Sequence, residues 1–275
     1  MIGFAVAFFA ATLPNAVVLR PVVDMFSKPT EDADVVSQAI YGTNVAIVEQ
    51  QPGWARIRTS DDYTGWAPLA ALQTGAPYAV GDRSAEVASL FAHIYREASV
   101  TKHAPLVTLP FEARLEVTAE DRDRGWLEVR LADGRSGWVQ SSDVARNPAP
   151  LSIPEMLAFS KRFLGLPYTW GGRSSYGYDC SGFVQMLERR RGVAMPRDAQ
   201  PQAEWRGVAP VTRDKLEPGD LLYFGGSEKH ITHTGMYLGE GKFINATTHE
   251  TPTVQIDDLN DPHWSRLLVA MRRVK

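Results

Sequence analysis

The chain has 275 residues, a formal charge of −3 and a hydrophobic content of 44%. This length favours two or three domains, and the apolar content is sufficient for their cores. The near-neutral charge, without a long basic run, provides no electrostatic field for nucleic acid or anionic lipid, so we predict no nucleic-acid partner. With one cysteine, an internal disulfide is excluded, and cysteine usage leaves the redox compartment open.

Residues 1–16 form an apolar N-terminal segment. The apolar run is too short to span a bilayer, so we predict no transmembrane span. It also lacks the Lys or Arg with which a signal peptide begins, although small residues around Asn15 and Ala16 allow a cleavage site. A signal peptide with an unusual start and a buried first strand both remain open.

Residues 53–66 and 125–138 are two copies of one pattern. Both copies begin and end with Gly-Trp and alternate apolar and polar residues around an Asp-containing turn, which is typical of a hairpin. Further strand-like sequence precedes each hairpin. A sheet of many short strands leaves open edges unless it closes, so we predict two small β-barrels, at 17–75 and 80–146. The repeated pattern resembles the bacterial SH3 family.

Tyr63 lies at the turn of the first hairpin, next to Asp61 and Asp62, where the second copy has Arg135. An aromatic side chain at an exposed turn either lines the cleft of a neighbouring domain or belongs to a solvated turn. The sequence leaves both interpretations open.

Residues 147–154 read NPAPLSIP and predict an extended, semi-rigid linker. Ser152 and Glu155, with Pro154 between them, predict a capping box that starts a helix ending at Leu164. We assign residues 147–275 to a third domain.

Cys180 lies where a loop rich in Gly, Ser and aromatic residues meets an apolar helical segment. A thiol at a helix N-terminus is close to unpaired N–H groups, which favour the thiolate and make a nucleophile near neutral pH. A lone cysteine is otherwise most often a small buried hydrophobe. The polar or very small neighbours Asp179, Ser181 and Gly182 favour the nucleophile.

A cysteine nucleophile needs a base and a third polar group that orients the base. His233 begins a predicted strand, and the strand after the next turn carries Asn245, which the hairpin brings near His233. His249 is the alternative third group. A zinc site formed by Cys180, His233, His249 and His230 is a weaker alternative, because the spacing matches no recurring zinc pattern.

Four motifs occur in one order in the last third of the chain: DCSGF (179–183), PGDLLYF (218–224), HTGMYLG (233–239) and GKFINA (241–246). This order resembles the NlpC/P60 family of papain-like cysteine peptidases. The resemblance implies an α+β fold in which a papain-like NlpC/P60 catalytic domain follows two small SH3-like β-barrels. It also implies Cys180 as nucleophile, His233 as base and Asn245 as orienting residue. Relatives frequently have His at the last position, so Asn245 is a departure.

Within the family, the chain resembles the γ-D-glutamyl-L-diamino acid endopeptidases of the YkfC type. The resemblance implies cleavage of peptidoglycan stem peptides between D-glutamate and diaminopimelate or lysine, with a free N-terminal L-alanine. The substrate-binding residues that it implies are Tyr168, Asp179, Ser181 and Asp198. We add Tyr63 as a candidate cap over the cleft. Ala199 occupies a position where a Ser is frequent in this subgroup.

The sequence therefore predicts a monomeric cysteine endopeptidase of cell-wall turnover or recycling, with no metal or other cofactor and with peptidoglycan-derived peptides as partners. The cell envelope is favoured over the cytoplasm as its location. One alternative is a cell-wall-binding protein whose third domain has lost turnover. Another is an amidase or acyltransferase on the same Cys-His scaffold.

Overall fold

The computed structural model of the protein describes residues 15–275. Residues 1–14, on which most of the predicted N-terminal segment falls, lie outside the described residues. Asn15 and Ala16 begin the first strand of the fold.

The first unit is a seven-stranded antiparallel sheet in the order β3-β2-β6-β5-β4-β1-β7. Its strands are β1 (Asn15–Val18), β2 (Val22–Phe26), β3 (Val35–Ile40), β4 (Asn44–Gln51), β5 (Trp54–Arg58), β6 (Thr64–Pro68) and β7 (Leu72–Thr74). Alternating apolar side chains of these strands, among them Met25, Ile47 and Ile57, form its buried core.

The second unit has a five-stranded sheet in the order β13-β12-β11-β8-β14 and a separate pair, β10-β9. Its strands are β8 (Ser84–Val87), β9 (Phe91–Ile94), β10 (Val107–Pro110), β11 (Arg114–Asp121), β12 (Trp126–Arg130), β13 (Ser136–Gln140) and β14 (Val144–Ala145). A bridge between Tyr95 and Trp138 joins the strand pair to the larger sheet.

The two copies of the sequence repeat pair their strands in the same register. In the first hairpin, Trp54 pairs with Pro68 and Arg58 with Thr64. In the second, Trp126 pairs with Gln140 and Arg130 with Ser136, which is the same register. The two copies therefore form equivalent hairpins.

The third unit combines four helices with a six-stranded antiparallel sheet in the order β17-β22-β18-β19-β20-β21. The helices are α1 (Ile153–Ser160), α2 (Cys180–Arg190), α3 (Ala199–Glu204) and α4 (Pro262–Leu267). The strands are β15 (Arg173–Ser174), β16 (Gly177–Tyr178), β17 (Val208–Pro210), β18 (Leu221–Ser227), β19 (His230–Gly239), β20 (Lys242–Thr247), β21 (Thr253–Asp258) and β22 (Leu268–Val274). Helix α2 packs against the sheet through a core that includes Phe183, Leu187 and Met236.

Helix α1 begins where the sequence predicts. The Ser152 side chain accepts a hydrogen bond from the Glu155 backbone N–H, and the Glu155 carboxylate accepts one from the Ser152 N–H, so the predicted capping box is confirmed. The α-helix ends at Ser160, and a 3₁₀ turn over Lys161–Phe163 continues it almost to the predicted end.

Ion pairs join the third unit to the other two. Arg173 pairs with Asp61 of the first unit at 3.3 Å, and both side chains are almost fully buried. Arg189 and Arg190 of helix α2 pair at 2.6 Å with Glu112 and Glu86 of the second unit. Carboxylates of the first and second units are therefore partners of arginines in the third unit. No helix in residues 15–275 has the length and apolarity that crossing a membrane requires.

Asp61→Asn tests the buried pair. Burial alone would raise the pKa of the Asp61 carboxyl, but Arg173 and hydrogen bonds from Thr59 and Gln185 outweigh it and hold that pKa below its usual value. The stability that Asp61 contributes is thus present above the pKa of the unfolded state and is lost as the pH falls. At pH 7 the variant leaves Arg173 buried without its carboxylate, which we expect to cost about 3–5 kcal/mol in the free energy of unfolding.

Urea unfolding followed by tryptophan fluorescence measures this loss. Glu49→Gln is the matched control, because Glu49 pairs with Arg56 at 3.9 Å on the surface and should lose less than about 1 kcal/mol. Equal losses in the two variants would contradict the importance of the buried pair.

Candidate active site

Cys180 is the first residue of helix α2, and its side chain is 7% exposed. The helix begins here because the Asp179 side chain accepts a hydrogen bond of 2.6 Å from the Gly182 N–H, as an N-cap does. A Cβ atom on residue 182 would lie 2.3 Å from the Gly172 carbonyl oxygen. Glycine at 182 therefore lets the preceding loop pack directly on the helix start.

Burial raises the pKa of the Cys180 thiol to about 12. The negative charge of Asp179 acts in the same direction, whereas a backbone N–H of Thr234 and the charge of Arg197 lower the pKa by less. The expectation that the helix N-terminus alone stabilises a thiolate near neutral pH is therefore wrong. Removing the sulfur from water outweighs the helix dipole, because a charged group loses its hydration on burial.

His233 lies on β19, directly before Thr234, whose backbone N–H acts to lower the pKa of the Cys180 thiol. Its ring stacks on Trp264 with centroids 5.0 Å apart and also contacts Phe224. This packing removes much of the ring from water, and burial lowers the pKa of the imidazole to about 4. Both shifts favour the uncharged forms, a neutral thiol and a neutral imidazole, and from this state attack by the sulfur requires transfer of the thiol proton to a base.

Asn245 lies on the adjacent strand β20, with its Oδ1 2.8 Å from Nε2 of His233. Its Nδ2 donates to a carboxylate oxygen of Asp257 at 2.8 Å, and a carboxylate offers only acceptors. The Asn245 oxygen therefore faces His233, and Nε2 of His233 is the donor. Nδ1 is then the ring nitrogen that carries the acceptor lone pair.

Gly235 explains how close the two strands come. A Cβ on residue 235 would lie 2.7 Å from a ring carbon of Phe243 and 3.1 Å from Cβ of Asn245. The space beside Gly235 is therefore filled by the adjacent strand β20.

The alternative third residue, His249, lies elsewhere. Its ring stacks on His263 with centroids 3.8 Å apart, whereas the hydrogen-bond partner of His233 is Asn245. Among residues 15–275, no three His, Cys, Asp or Glu side chains are grouped as ligands of a metal ion.

A cleft of about 640 Å³ opens beside Cys180, between the first and third units. All five residues predicted to bind substrate line this cleft together with the cysteine: Tyr63, Tyr168, Asp179, Ser181 and Asp198. The Tyr63 hydroxyl of the first barrel donates a hydrogen bond of 3.1 Å to Asp198 of the third unit. The turn that carries Tyr63 thus lines the cleft of a neighbouring unit, which is one of the two interpretations that the sequence left open.

Burial also sets the protonation of the polar groups in the cleft. It raises the pKa of Tyr63 to about 12, and it raises the pKa of Tyr168 further still, so both phenols keep their protons and can donate hydrogen bonds. Burial likewise raises the pKa of the Asp198 carboxyl above its usual value, although Arg197 and Tyr63 partly offset the shift.

Three residues that sequence reasoning missed support the site. Arg197 is buried and makes hydrogen bonds of 3.0 and 2.7 Å to the two oxygens of Asp179, and its Nε donates to Ser37 of the first unit. Asp257 contacts Asn245, and Trp264 stacks on His233. Only Arg197 has a local signal, since it directly precedes Asp198 in PRDA.

Comparison with known proteins matches two parts of the chain to known families. The NlpC/P60 family matches residues 165–273, and the bacterial dipeptidyl-peptidase Sh3 domain matches residues 25–72. The chain is 30% identical over 256 residues to a γ-D-glutamyl-L-lysine dipeptidyl-peptidase of Bacillus cereus, covering 86% of this chain and 74% of that protein. The chain belongs to the NlpC/P60 family. As a member of that family it is a cysteine peptidase.

Two further matches extend the comparison. This chain is also 27% identical to a γ-D-glutamyl-L-lysine dipeptidyl-peptidase of Bacillus subtilis, and the match covers 88% of this chain and 82% of that protein. The crystal structure of an NlpC/P60 family protein from Bacillus cereus superposes with a TM-score of 0.82 at 24% identity, covering 94% of this chain and 99% of that one. The α+β fold class, with a bacterial SH3 domain near the N-terminus, is confirmed.

The protonation state of this NlpC/P60 site is testable by alkylation. Since the pair is neutral at rest, the rate of Cys180 alkylation by iodoacetamide should follow the small thiolate fraction and rise about tenfold per pH unit from about pH 6 to pH 9. Cys180→Ser provides the blank, because the chain has no second thiol. A rate that stays level between about pH 5 and pH 8 would instead indicate a thiolate–imidazolium pair.

Proposed function

We propose that this chain is an endopeptidase that hydrolyses the γ-D-glutamyl-L-diamino acid bond of peptidoglycan stem peptides whose N-terminal L-alanine is free. The diamino acid is lysine or diaminopimelate. The names of the relatives, γ-D-glutamyl-L-lysine dipeptidyl-peptidases, support this class of substrate. The observation that carries the proposal is the cleft beside Cys180, which Tyr63 and Asp198 line together as a hydrogen-bonded pair.

The nucleophile in this proposal is Cys180. Its thiol proton passes to Nδ1 of His233 as the sulfur attacks the γ-carbonyl carbon of D-glutamate, which forms a tetrahedral oxyanion. The N–H groups of the first turn of α2 have no partner within the helix, and the Cys180 N–H can donate to this oxyanion. The protonated phenol of Tyr168, which lines the same cleft, is a second donor.

Collapse of the intermediate breaks the C–N bond. The imidazolium of His233 gives its proton to the leaving amine of the diamino acid, and the glutamyl group remains on Cys180 as a thioester. His233 then accepts a proton from water, which attacks the thioester and releases the γ-carboxylate and the thiol. Asn245 keeps the imidazole in the tautomer that both steps require.

Recognition of the free amine is assigned to Asp198 with Tyr63. The carboxylate of Asp198 is partly desolvated, so an ammonium group bound beside it regains Coulomb attraction that bulk water would screen. Asp179 lines the same cleft, but its two oxygens are occupied by Arg197. Of these two carboxylates, Asp198 is therefore the one with capacity for a cationic ligand.

Hydrolysis of L-Ala-γ-D-Glu-L-Lys tests the reaction. We expect wild type to release L-Ala-γ-D-Glu and lysine, and Cys180→Ala to lose roughly 10³-fold or more in kcat with an unchanged unfolding midpoint. Equal product release by both would refute the thiol mechanism. Binding of the peptide or of sacculi without cleavage would favour the wall-binding alternative, and a transferred product with an added amine would favour an acyltransferase.

Tyr63→Phe tests recognition of the amine. The variant removes the hydroxyl that donates to Asp198, so we expect KM for the free-amine peptide to rise about 3- to 10-fold with little change in kcat. The N-acetylated peptide should show no such difference between variant and wild type.

Tyr176→Phe is the matched control for this experiment. It also removes a phenol hydroxyl, but one that donates to the Thr108 carbonyl in the second unit. Its kinetics should equal those of wild type. If Tyr63→Phe behaves like this control, the proposed role of the first barrel in substrate binding is wrong.

A further inference from the structure

The third residue of the catalytic set is an asparagine, and its side chain has two different ends. If the amide of Asn245 turned by 180°, its NH₂ group would face Nε2 of His233, which would then have to be an acceptor. The imidazole proton would move to Nδ1, and the ring could no longer take a proton there from the thiol. An asparagine orients the base correctly only if something holds the amide in one orientation.

Asp257 holds the amide from the opposite side. Strands β20 and β21 pair Asn245 with Gln255, so Asp257 lies two residues further on the same face of β21. The Asp257 carboxylate accepts from Nδ2 of Asn245 at 2.8 Å, and the Gln255 backbone carbonyl lies 3.4 Å from the same nitrogen. Two acceptors therefore face the NH₂ end of the amide.

Asp257 is itself held in place. Nε2 of Gln255 donates to both carboxylate oxygens of Asp257, at 3.0 and 3.1 Å. With the carboxylate fixed as an acceptor, a turned amide of Asn245 would bring its carbonyl oxygen against a carboxylate oxygen. Repulsion between the two acceptors disfavours that orientation.

We propose that Asp257 is a positioning residue that fixes the amide of Asn245 and, through it, the tautomer of His233. Asp257 thus extends the hydrogen-bonded series His233–Asn245 by one side chain and acts on the base only through Asn245. This inference rests on the proposed function in one respect, namely that His233 acts as the base.

Asp257 also carries a charge, which has to be separated from its role in orientation. The charged or titratable groups that act on His233 are Asp257 from β21, Asp179 at the start of α2 and His263 from α4. Trp264 and Phe224 pack on the ring and are neutral. A variant that keeps one carboxylate in the chain but removes the need to orient an amide separates the two effects.

Asp257→Ala and the double variant N245D/D257A provide this test. In Asp257→Ala the amide is free to turn, so we expect kcat to fall about 10- to 100-fold with KM within about twofold. This loss of kcat is smaller than the loss expected when Asn245, which contacts the histidine directly, is changed. In N245D/D257A both oxygens at position 245 are acceptors and no orientation is needed. Its kcat should return to within about fivefold of wild type.

The neighbouring Asp258 provides the matched control. Its carboxylate pairs with Lys242 at 2.9 Å on the exposed side of the sheet, and Asp258→Ala should keep wild-type kcat. The proposal is overturned if Asp257→Ala keeps wild-type kcat, if Asp258→Ala loses as much, or if the double variant is no better than Asp257→Ala.

A spectroscopic measurement separates failure of this inference from failure of the proposed function. In ¹⁵N-histidine-labelled protein carrying Cys180→Ala, imidazole ¹⁵N shifts report the tautomer of His233 without any turnover, and the signal is assigned with His233→Gln. We expect the Nε2–H tautomer, and a mixture with Nδ1–H once Asp257→Ala is added. An unchanged tautomer after that substitution would overturn the proposal even if the peptide is cleaved.

Discussion

Exclusion of water from two ionisable side chains governs the chemistry of this site. Burial raises the pKa of the Cys180 thiol to about 12, and the packing of Trp264 and Phe224 lowers the pKa of His233 to about 4. Both shifts disfavour charge, so the resting pair is neutral. The cost of separating charge then falls in the step where sulfur attacks carbon, and the hydrogen bond from Nε2 of His233 to Asn245 stabilises the imidazolium that forms.

The cleft exists only because two units meet there. Tyr63 reaches Asp198 from the turn of a barrel hairpin, and Ser37 of the same barrel accepts from Nε of Arg197. Arg197 in turn binds both oxygens of Asp179, the residue that caps the nucleophile helix. A buried arginine is tolerated because its charge is paired and hydrogen-bonded, and these partners link the barrel to the start of α2.

The surrounding sheet places Asn245 against His233. The amide of asparagine has an acceptor end and a donor end on a short side chain. Gly235 lets β20 approach closely enough for that short side chain to contact His233. The carboxylate of Asp257 then accepts a hydrogen bond from the NH₂ group of Asn245. Backbone proximity and strand register thus bring the short side chain of Asn245 to His233 and Asp257.

The sequence by itself determined the local features: the repeated hairpins, the capping box of α1, the helix that begins at Cys180, and the strand pair that carries His233 and Asn245. These depend on residues near one another in the chain, so periodicity and motif spacing report them. The tertiary structure alone decided the neutral state of the thiol, the contact of Tyr63 with Asp198, and the support from Asp257. Desolvation depends on which distant segments exclude water, and the contact that closes the cleft joins residues 135 positions apart. No local pattern encodes such quantities, because they arise only when separate units and strands pack together.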